Sequence, residues 1–243
     1  MRVLITGAGG IIGGVLMKSL ALHHEVFGID RKEALGVSVL DMAKNPSGFA
    51  EAARGKDAII HLAWDVKEGG TALKPPLGDN KRMGEILYEE ALRLKVPRVI
   101  FASSVHASFG FLRYLDGGIE KDHKEKLHRG KRITIEDGFY PLGTYGAGKV
   151  YLEALGKAYS ARGLQIICVR FGNVTPDNSE GEYPFWLSHK DCAQFVEKAL
   201  LAELPPFSTF FAVSGNTCNP FDLKSAEVAL GYEPEDGSSC PFV

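Results

Sequence analysis

The glycine-rich run near the N-terminus reads Thr6-Gly7-Ala8-Gly9-Gly10-Ile11-Ile12-Gly13. It follows the strand-length apolar segment Arg2 to Ile5 and precedes Ile11 to Leu20, whose apolar residues recur at helical spacing. Glycines between a strand and a helix allow positive φ and a close approach of ligand to backbone. The N–H groups and the dipole at the start of the helix then favour a pyrophosphate. The run therefore predicts a dinucleotide-binding turn, with a plain tight strand-to-helix connection as the alternative.

A second predicted strand, Glu25 to Asp30, ends in a carboxylate that bears on the choice of dinucleotide. Asp30 stands about where an acidic residue binds the adenosine ribose hydroxyls. A carboxylate at this point repels the 2′-phosphate of NADP, so NAD is the expected cofactor, although the neighbouring Arg31 could offset that repulsion. The alternative is that Asp30 is only a turn residue that follows a strand.

The composition is that of an ordinary globular chain and excludes several classes of function. The 243 residues are 45% hydrophobic and 24% charged, with a net charge of -2. There is no basic excess that would indicate nucleic acid, no apolar run long enough to cross a membrane and no signal peptide. The cysteines and histidines show no metal-ligand spacing. We therefore expect a cytoplasmic protein with reduced thiols, no metal, no nucleic-acid partner and no membrane partner.

Strand-length apolar runs alternate with amphipathic segments along the whole chain. Runs such as Asp57 to Leu62 and Gln165 to Arg170 are almost continuously apolar, as expected for parallel strands covered on both faces. The alternation predicts an α/β fold with a doubly wound, Rossmann-type, mostly parallel sheet. We expect the NAD-binding domain at residues 1–172, including a long irregular loop at 105–143. A small C-terminal substrate lobe, not a separate folding unit, is expected at 173–243.

The second diagnostic motif is Tyr145-Gly146-Ala147-Gly148-Lys149, a Tyr-x-x-x-Lys near the start of a helix predicted to run to about Ala161. Residues four apart lie on one helix face, so the phenol and the ammonium can point at the same ligand. A tyrosine with a pKa of about 10 is a poor base at neutral pH, but a nearby cation favours its phenolate. The pair therefore predicts a proton acceptor for an alcohol whose hydride passes to NAD.

Five sequence features occur in an order that resembles the extended short-chain dehydrogenases, the NAD-dependent epimerase/dehydratase family. They are the G-x-x-G-x-x-G spacing at Gly7, Gly10 and Gly13, then Asp30, His61-Leu62-Ala63, Ser103-Ser104 and the tyrosine motif. The resemblance implies that Ser104 polarises the substrate oxygen, with the adjacent Ser103 as the fallback. It also implies that Tyr145 is the catalytic acid/base and that Lys149 activates it and binds the nicotinamide ribose. His61 itself is expected to be a packed strand-end residue.

The same resemblance implies a set of cofactor contacts along the carboxyl edge of the sheet. The set is Gly7, Gly9, Gly10, Ile11, Ile12, Gly13, Asp30, Arg31, Asp41, Met42, Leu62, Ala63, Trp64, Asn80, Ala102, Tyr145 and Lys149.

A narrower resemblance comes from Phe101 to His106, Val169 to Pro176, Trp186 to Asp191 and Leu230 to Pro234. These segments look like those of uronate dehydrogenases and the related archaeal NAD-dependent glucose-6-phosphate dehydrogenases, which oxidise a sugar at its anomeric carbon to a lactone. The resemblance implies substrate contacts at Asp65, Ser104, Val105, His106, Asn173 and Trp186.

Two departures from that narrower pattern bear on the identity of the sugar. Val105 replaces a polar Asn, so one contact to sugar hydroxyls is lost. The segment Asn178 to Tyr183 lacks the Arg with which uronate dehydrogenases face the substrate carboxylate, and it carries two acids instead. Basic residues in Lys121 to Arg132 could receive a phosphate if that part of the loop covers the substrate; alternatively it is a solvated surface excursion.

The predicted function is NAD-dependent oxidation of a sugar (an aldose, a sugar phosphate or a uronate) at C1 to the lactone. A nucleotide-sugar 4-epimerase or dehydratase is the first alternative, but it needs a larger C-terminal domain than this chain offers after its sixth strand. An NAD-binding sensor or interaction protein without turnover is the second. The family resemblance also implies a homodimer that pairs the helices after the fourth and fifth strands.

Overall fold

The computed structural model describes residues 1–65, 78–114, 132–180 and 184–239. Its strands are β1 (Arg2–Thr6), β2 (Glu25–Asp30), β3 (Val37–Val39), β4 (Ala58–His61), β5 (Arg98–Ser104), β6 (Gln165–Phe171) and β7 (Phe207–Ala212). Within the described ranges they form one parallel sheet in the order β3-β2-β1-β4-β5-β6-β7. The order reverses between β1 and β4, where doubly wound folds bind their ligands. The predicted α/β architecture is confirmed.

Helices cover both faces of this sheet. They are α1 (Ile11–Leu20), α2 (Pro46–Ala53), α3 (Gly78–Arg93), α4 (Gly110–Tyr114), α5 (Gly143–Ser160), α6 (His189–Leu201) and α7 (Lys224–Leu230). One apolar core lies between the sheet and α1, α6 and α7. The other lies between the opposite face and α2, α3 and α5. Strand β5 shows why the central runs are continuously apolar, because Ile100 packs into the first core and Val99 and Phe101 into the second.

Local contacts set where the two C-terminal helices begin. Helix α6 begins at His189, where the Ser188 hydroxyl accepts a hydrogen bond from the Asp191 N–H at 3.0 Å and caps the helix. The last helix begins at Lys224, because Phe221 is fully buried and forms an isolated bridge with Ile133. Strand β7 joins the main sheet, and the division of the chain at residue 172 stays a prediction.

The segment after β5 is more regular than expected. Val105–Ala107 forms a 3₁₀ turn and α4 follows, so the prediction of an irregular loop is wrong for this part. The Ser104 hydroxyl supplies the reason, since it accepts a hydrogen bond from the His106 N–H at 3.2 Å and starts the turn. Most of the basic stretch at 121–132, and residues 181–183 before Trp186, lie outside the described residues.

The spacing of the cysteines predicted that all of them are reduced thiols, but the structure shows otherwise. Cys168 and Cys192 are free and buried, whereas Cys218 is disulfide-bonded. Spacing along a chain does not show which cysteines a fold brings together, so this expectation was wrong at Cys218. Among the described residues there is no group of three or more potential metal ligands, and no helix long and apolar enough to span a membrane.

Candidate active site

The glycine run forms the turn between β1 and α1 at the carboxyl edge of the sheet. Gly7 has a φ of 70°, and a Cβ there would lie 2.6 Å from the backbone nitrogen of Ala63. The Gly10 N–H donates to the Gly7 carbonyl at 3.0 Å and closes the turn. A Cβ on Gly13 would overlap the backbone of the turn itself. The glycines therefore bring bare backbone to the start of a helix, which is the cradle that a pyrophosphate fits.

A cavity of about 220 Å³ lies beside this turn, along the carboxyl ends of β1, β2 and β4. Its lining includes the predicted cofactor residues Gly7, Gly9, Gly10, Asp30, Arg31, Asp41, Met42, Leu62, Ala63 and Trp64, and also Thr6 and Asp65. The predicted residues Ile11, Ile12 and Gly13 belong to α1. A side-chain-free turn with a carboxylate across the cavity suits the pyrophosphate and ribose of NAD.

The Asp30 carboxylate is fixed against the glycine turn. One of its oxygens accepts from the Gly9 N–H at 3.1 Å and the other from the Lys32 N–H at 3.0 Å. A side chain on Gly9 would press on this carboxylate, since a Cβ there would lie 3.3 Å from Asp30 Oδ2. The loop that shapes the cavity therefore also sets the position of Asp30, and its role toward the adenosine ribose stays a prediction.

Tyr145 and Lys149 lie on one face of α5, close to Trp64. The Lys149 ammonium is buried, donates to the Ala102 carbonyl at 2.6 Å and lies 3.8 Å from the centre of the Trp64 ring. Burial lowers the pKa of Lys149 to about 7, and the nearby Glu153 carboxylate opposes that effect. Trp64 also meets the Tyr145 ring edge-on at 5.5 Å. The predicted acid/base pair therefore adjoins the dinucleotide cavity through Trp64.

The two serines at the end of β5 face different partners. The Ser104 hydroxyl hydrogen-bonds with the Tyr145 phenol; burial raises the pKa of Tyr145, and this hydrogen bond lowers it. The Ser103 hydroxyl instead donates to the Glu153 carboxylate in the protein interior. This geometry favours Ser104 over Ser103 as the residue beside the reacting oxygen, and its catalytic role stays a prediction.

A buried ion pair behind the site was missed from the sequence. Arg170, at the end of β6, donates to both carboxylate oxygens of Glu153 at 2.8 and 3.0 Å, and both side chains are more than nine-tenths buried. Arg170 also donates to the Ser108 hydroxyl and to the Gly138 carbonyl, each at 2.8 Å. The pair therefore ties α5 and β6 to the segment after β5. Its sequence signal was a Glu four residues after Lys149, on the same helix face.

Two histidines lie near the site in different settings. His61 is buried at the end of β4 with its Nδ1 2.8 Å from the Thr6 hydroxyl, and burial lowers its pKa to about 3. It fits the expected packed strand-end residue. His106 meets the Tyr145 ring edge-on at 5.2 Å, and burial lowers its pKa to about 4. The buried Nδ1 of His106 has no hydrogen-bond partner within the described part of the chain.

The other predicted substrate residues do not all gather beside Tyr145. Val105 is fully buried in a third apolar cluster. Asn173 and Trp186 pair through an isolated bridge, and Trp186 is buried. The Asp65 carboxylate accepts a hydrogen bond from Arg31 at 2.7 Å, and the Asn80 side chain, predicted to touch the cofactor, hydrogen-bonds the Asp65 backbone. Their roles toward substrate and cofactor stay predictions.

A doubly wound sheet, a glycine turn at its order reversal and a Tyr-x-x-x-Lys helix beside the turn define the extended short-chain dehydrogenase class. The chain belongs to the NAD dependent epimerase/dehydratase family, whose model matches residues 3–204. Its cofactor is therefore NAD. The cavity at the glycine turn, with Asp30 in its lining, is the predicted place for it.

Three known proteins similar to this chain share nearly its whole length. An L-arabinose 1-dehydrogenase (NAD(P)(+)) of Haloferax volcanii is 29% identical, over 98% of this chain and 98% of that protein. An NAD-dependent glucose-6-phosphate dehydrogenase of the same organism is 26% identical, over 98% and 94%. The solved structure of a variant uronate dehydrogenase from Agrobacterium tumefaciens complexed with NAD is 25% identical, with a TM-score of 0.76 over 97% of this chain and 85% of that one.

Proposed function

We propose that this chain is an NAD-dependent dehydrogenase that oxidises a sugar at C1 to the lactone. The observation that carries the proposal is the contact between Ser104 and Tyr145, with Lys149 on the same helix face and the dinucleotide cavity adjoining. The relatives named L-arabinose 1-dehydrogenase and NAD-dependent glucose-6-phosphate dehydrogenase, both matched over 98% of this chain, support a sugar as substrate.

In the proposed reaction the phenolate of Tyr145 accepts the proton of the C1 hydroxyl. Ser104 holds that oxygen by a hydrogen bond, as it holds the Tyr145 oxygen in the free protein. The Lys149 ammonium, 5.6 Å from the centre of the Tyr145 ring, favours the phenolate by its charge. NAD held at the glycine turn would supply the hydride acceptor for C1. Lys149 is buried, which strengthens the effect of its charge on the phenolate.

His106 is the best-supported residue for contact with a sugar hydroxyl. Its ring is neutral at physiological pH because burial lowers its pKa to about 4. A neutral imidazole can donate or accept a hydrogen bond, according to its tautomer. Its Nδ1 has no partner among the described residues, and its ring contacts that of Tyr145. A sugar hydroxyl next to C1 would satisfy this nitrogen.

The decisive experiment mixes the protein with NAD and three kinds of sugar while the absorbance of reduced cofactor is followed. The arms are neutral aldoses beginning with L-arabinose, glucose 6-phosphate, and uronates. We expect weak or no turnover of uronates, because residues 178–183 lack an Arg for the carboxylate. The matched control is Tyr145→Phe, which keeps the ring and removes the proton acceptor. Absence of turnover in every arm would overturn the proposal.

An epimerase or dehydratase remains the second candidate, because the family that matches this chain includes both activities by name. Calorimetric binding of a UDP-sugar, together with no oxidation of free sugars, would favour it. Binding of NAD with no turnover of any sugar, and no effect of Tyr145→Phe, would instead favour the third alternative, an NAD-binding sensor or interaction protein without turnover. We further propose that the protein is cytoplasmic and that it forms a homodimer through α3 and α5. Light scattering on the purified protein tests whether it is a dimer.

A further inference from the structure

An ion pair crosses the mouth of the dinucleotide cavity. Arg31, the residue after β2, donates from Nη1 to Oδ2 of Asp65, four residues after β4, at 2.7 Å. Both residues line the cavity together with Asp30. The Asp65 side chain is 15% exposed and the Arg31 side chain 44% exposed. A partly buried carboxylate therefore holds a cation that stands beside the residue expected to bind the adenosine ribose.

The position of Asp65 is set by a buried side chain from the start of α3. The Asn80 side chain accepts a hydrogen bond from the Asp65 N–H at 2.6 Å and donates to the Asp65 carbonyl at 3.0 Å. Asn80 is 1% exposed. Both bonds join the Asp65 backbone and so fix where its carboxylate meets Arg31. The fold therefore places this carboxylate in the lining of the cavity through contacts other than the Arg31 ion pair.

Three carboxylates act on the Arg31 guanidinium. Asp65, Asp41 and Asp30 all raise the pKa of Arg31, with the Asp65 hydrogen bond the largest influence. A 2′-phosphate would bring a charge of about -1.5 to -2 to the same place. It would need a free cation there. Arg31 and Lys32 both line the cavity, and Arg31, the residue next to Asp30, is held by Asp65.

We propose that Asp65 is a coenzyme-specificity residue, which holds Arg31 in an ion pair and so denies this cation to the 2′-phosphate of NADP. The dinucleotide cavity then selects NAD over NADP through two carboxylates, because Asp30 acts directly on the 2′-phosphate and Asp65 acts through Arg31. The proposal rests on the proposed function only in that the chain binds NAD, and it makes no use of the sugar.

The test measures the affinities of NAD and NADP by calorimetry on the protein without sugar. Asp65→Asn removes the charge and keeps the shape and the backbone bonds to Asn80. We expect NADP to bind about five-fold more tightly to this variant, and NAD affinity to change by less than about two-fold. Adding Arg31→Ala to Asp65→Asn should abolish the gain, because the released cation is then absent.

The matched control is Asp79→Asn, since Asp79 lines the same cavity but is not among the carboxylates that act on Arg31. Three results would each overturn the proposal. They are an equal gain in NADP affinity in Asp65→Asn and Asp79→Asn, a gain that survives the addition of Arg31→Ala, and no gain at all. Thermal unfolding will show whether Asp65→Asn folds. If it does not, Asp65→Ser, which removes the same charge, takes its place in the test. NAD binding without sugar oxidation would refute the proposed function and leave this inference standing.

Discussion

The buried ammonium of Lys149 should make the stability of the free protein depend on pH, and Lys149→Met tests this. Burial lowers the pKa of Lys149 from 10.5 to about 7 in the folded state. Between these values the unfolded chain binds a proton that the folded chain does not, so stability rises as pH rises through that window. The destabilisation is fully present below about pH 7 and is gone above about pH 10.5.

The size of the effect follows from the pKa change and from the contacts that methionine would lose. A drop in pKa from 10.5 to about 7 corresponds to about 5 kcal/mol. The variant also loses the hydrogen bond to the Ala102 carbonyl, worth about 1 kcal/mol. The cation–π contact with Trp64 exists only for the charged amine, so its effect is part of the pKa and is not counted again. Lys149→Met should therefore be about 4 kcal/mol more stable than wild type below about pH 7, and about 1 kcal/mol less stable above about pH 10.5.

Urea unfolding of both proteins without cofactor, at several pH values, measures this difference directly. We expect the two stability curves to cross at about pH 10. The matched control is Lys157→Met, on the same helix with an exposed side chain, which should stay within about 0.5 kcal/mol of wild type throughout. A Lys149→Met protein that is less stable at every pH, by a constant amount, would refute the reasoning.

Three further predictions concern the residues around this pair. Ser104→Ala should lower kcat about 100-fold or more with any sugar that turns over, whereas Ser103→Ala should change kcat only a few-fold; equal losses would remove the distinction between them. Glu153→Gln should cost about 3 to 5 kcal/mol in chemical unfolding because it leaves Arg170 buried without its counter-ion, and Arg170→Leu in the same protein should restore part of that loss. Acidification below about pH 6.5 should destabilise the protein, because the folded state keeps His61 neutral down to about pH 3. In His61→Asn the free energy of unfolding should fall less steeply with acidification, by about 1.4 kcal/mol per pH unit. An unchanged slope would contradict this prediction.

Local patterns were enough to predict the sheet and the two diagnostic motifs. The alternation of buried runs with amphipathic segments predicted the order of strands and helices, because each pattern is set by residues close in sequence. The glycine run was predicted as a turn for the same reason, and Gly7 adopts the positive φ that the turn requires. Local patterns do not fix a helix end where a distant contact intervenes, as at Phe221, which the bridge to Ile133 holds out of the last helix.

Contacts between residues far apart in sequence could not be predicted in the same way. The side chains of Ser103 and Ser104 point to opposite faces of strand β5. Only the positions of Glu153 and Tyr145 in the fold show that Ser103 meets Glu153 and Ser104 meets Tyr145. Asp65 was predicted as a substrate contact, yet its ion pair is with Arg31, from a strand two positions away in the sheet. Such pairs depend on strand order and side-chain direction, which a single sequence does not contain.

The indole of Trp64 gives this protein an optical property as well as a packing role. The chain has two tryptophans. Trp64 touches Lys149 and Tyr145 and lines the dinucleotide cavity, whereas Trp186 is 4% exposed and is not part of that lining. Indole emission responds to nearby charge and to ring contacts, so a nucleotide entering the cavity changes the fluorescence of one tryptophan and spares the other. The native protein therefore carries its own fluorophore where the dinucleotide cavity adjoins Tyr145 and Lys149, and occupancy of the cavity can be followed without a label.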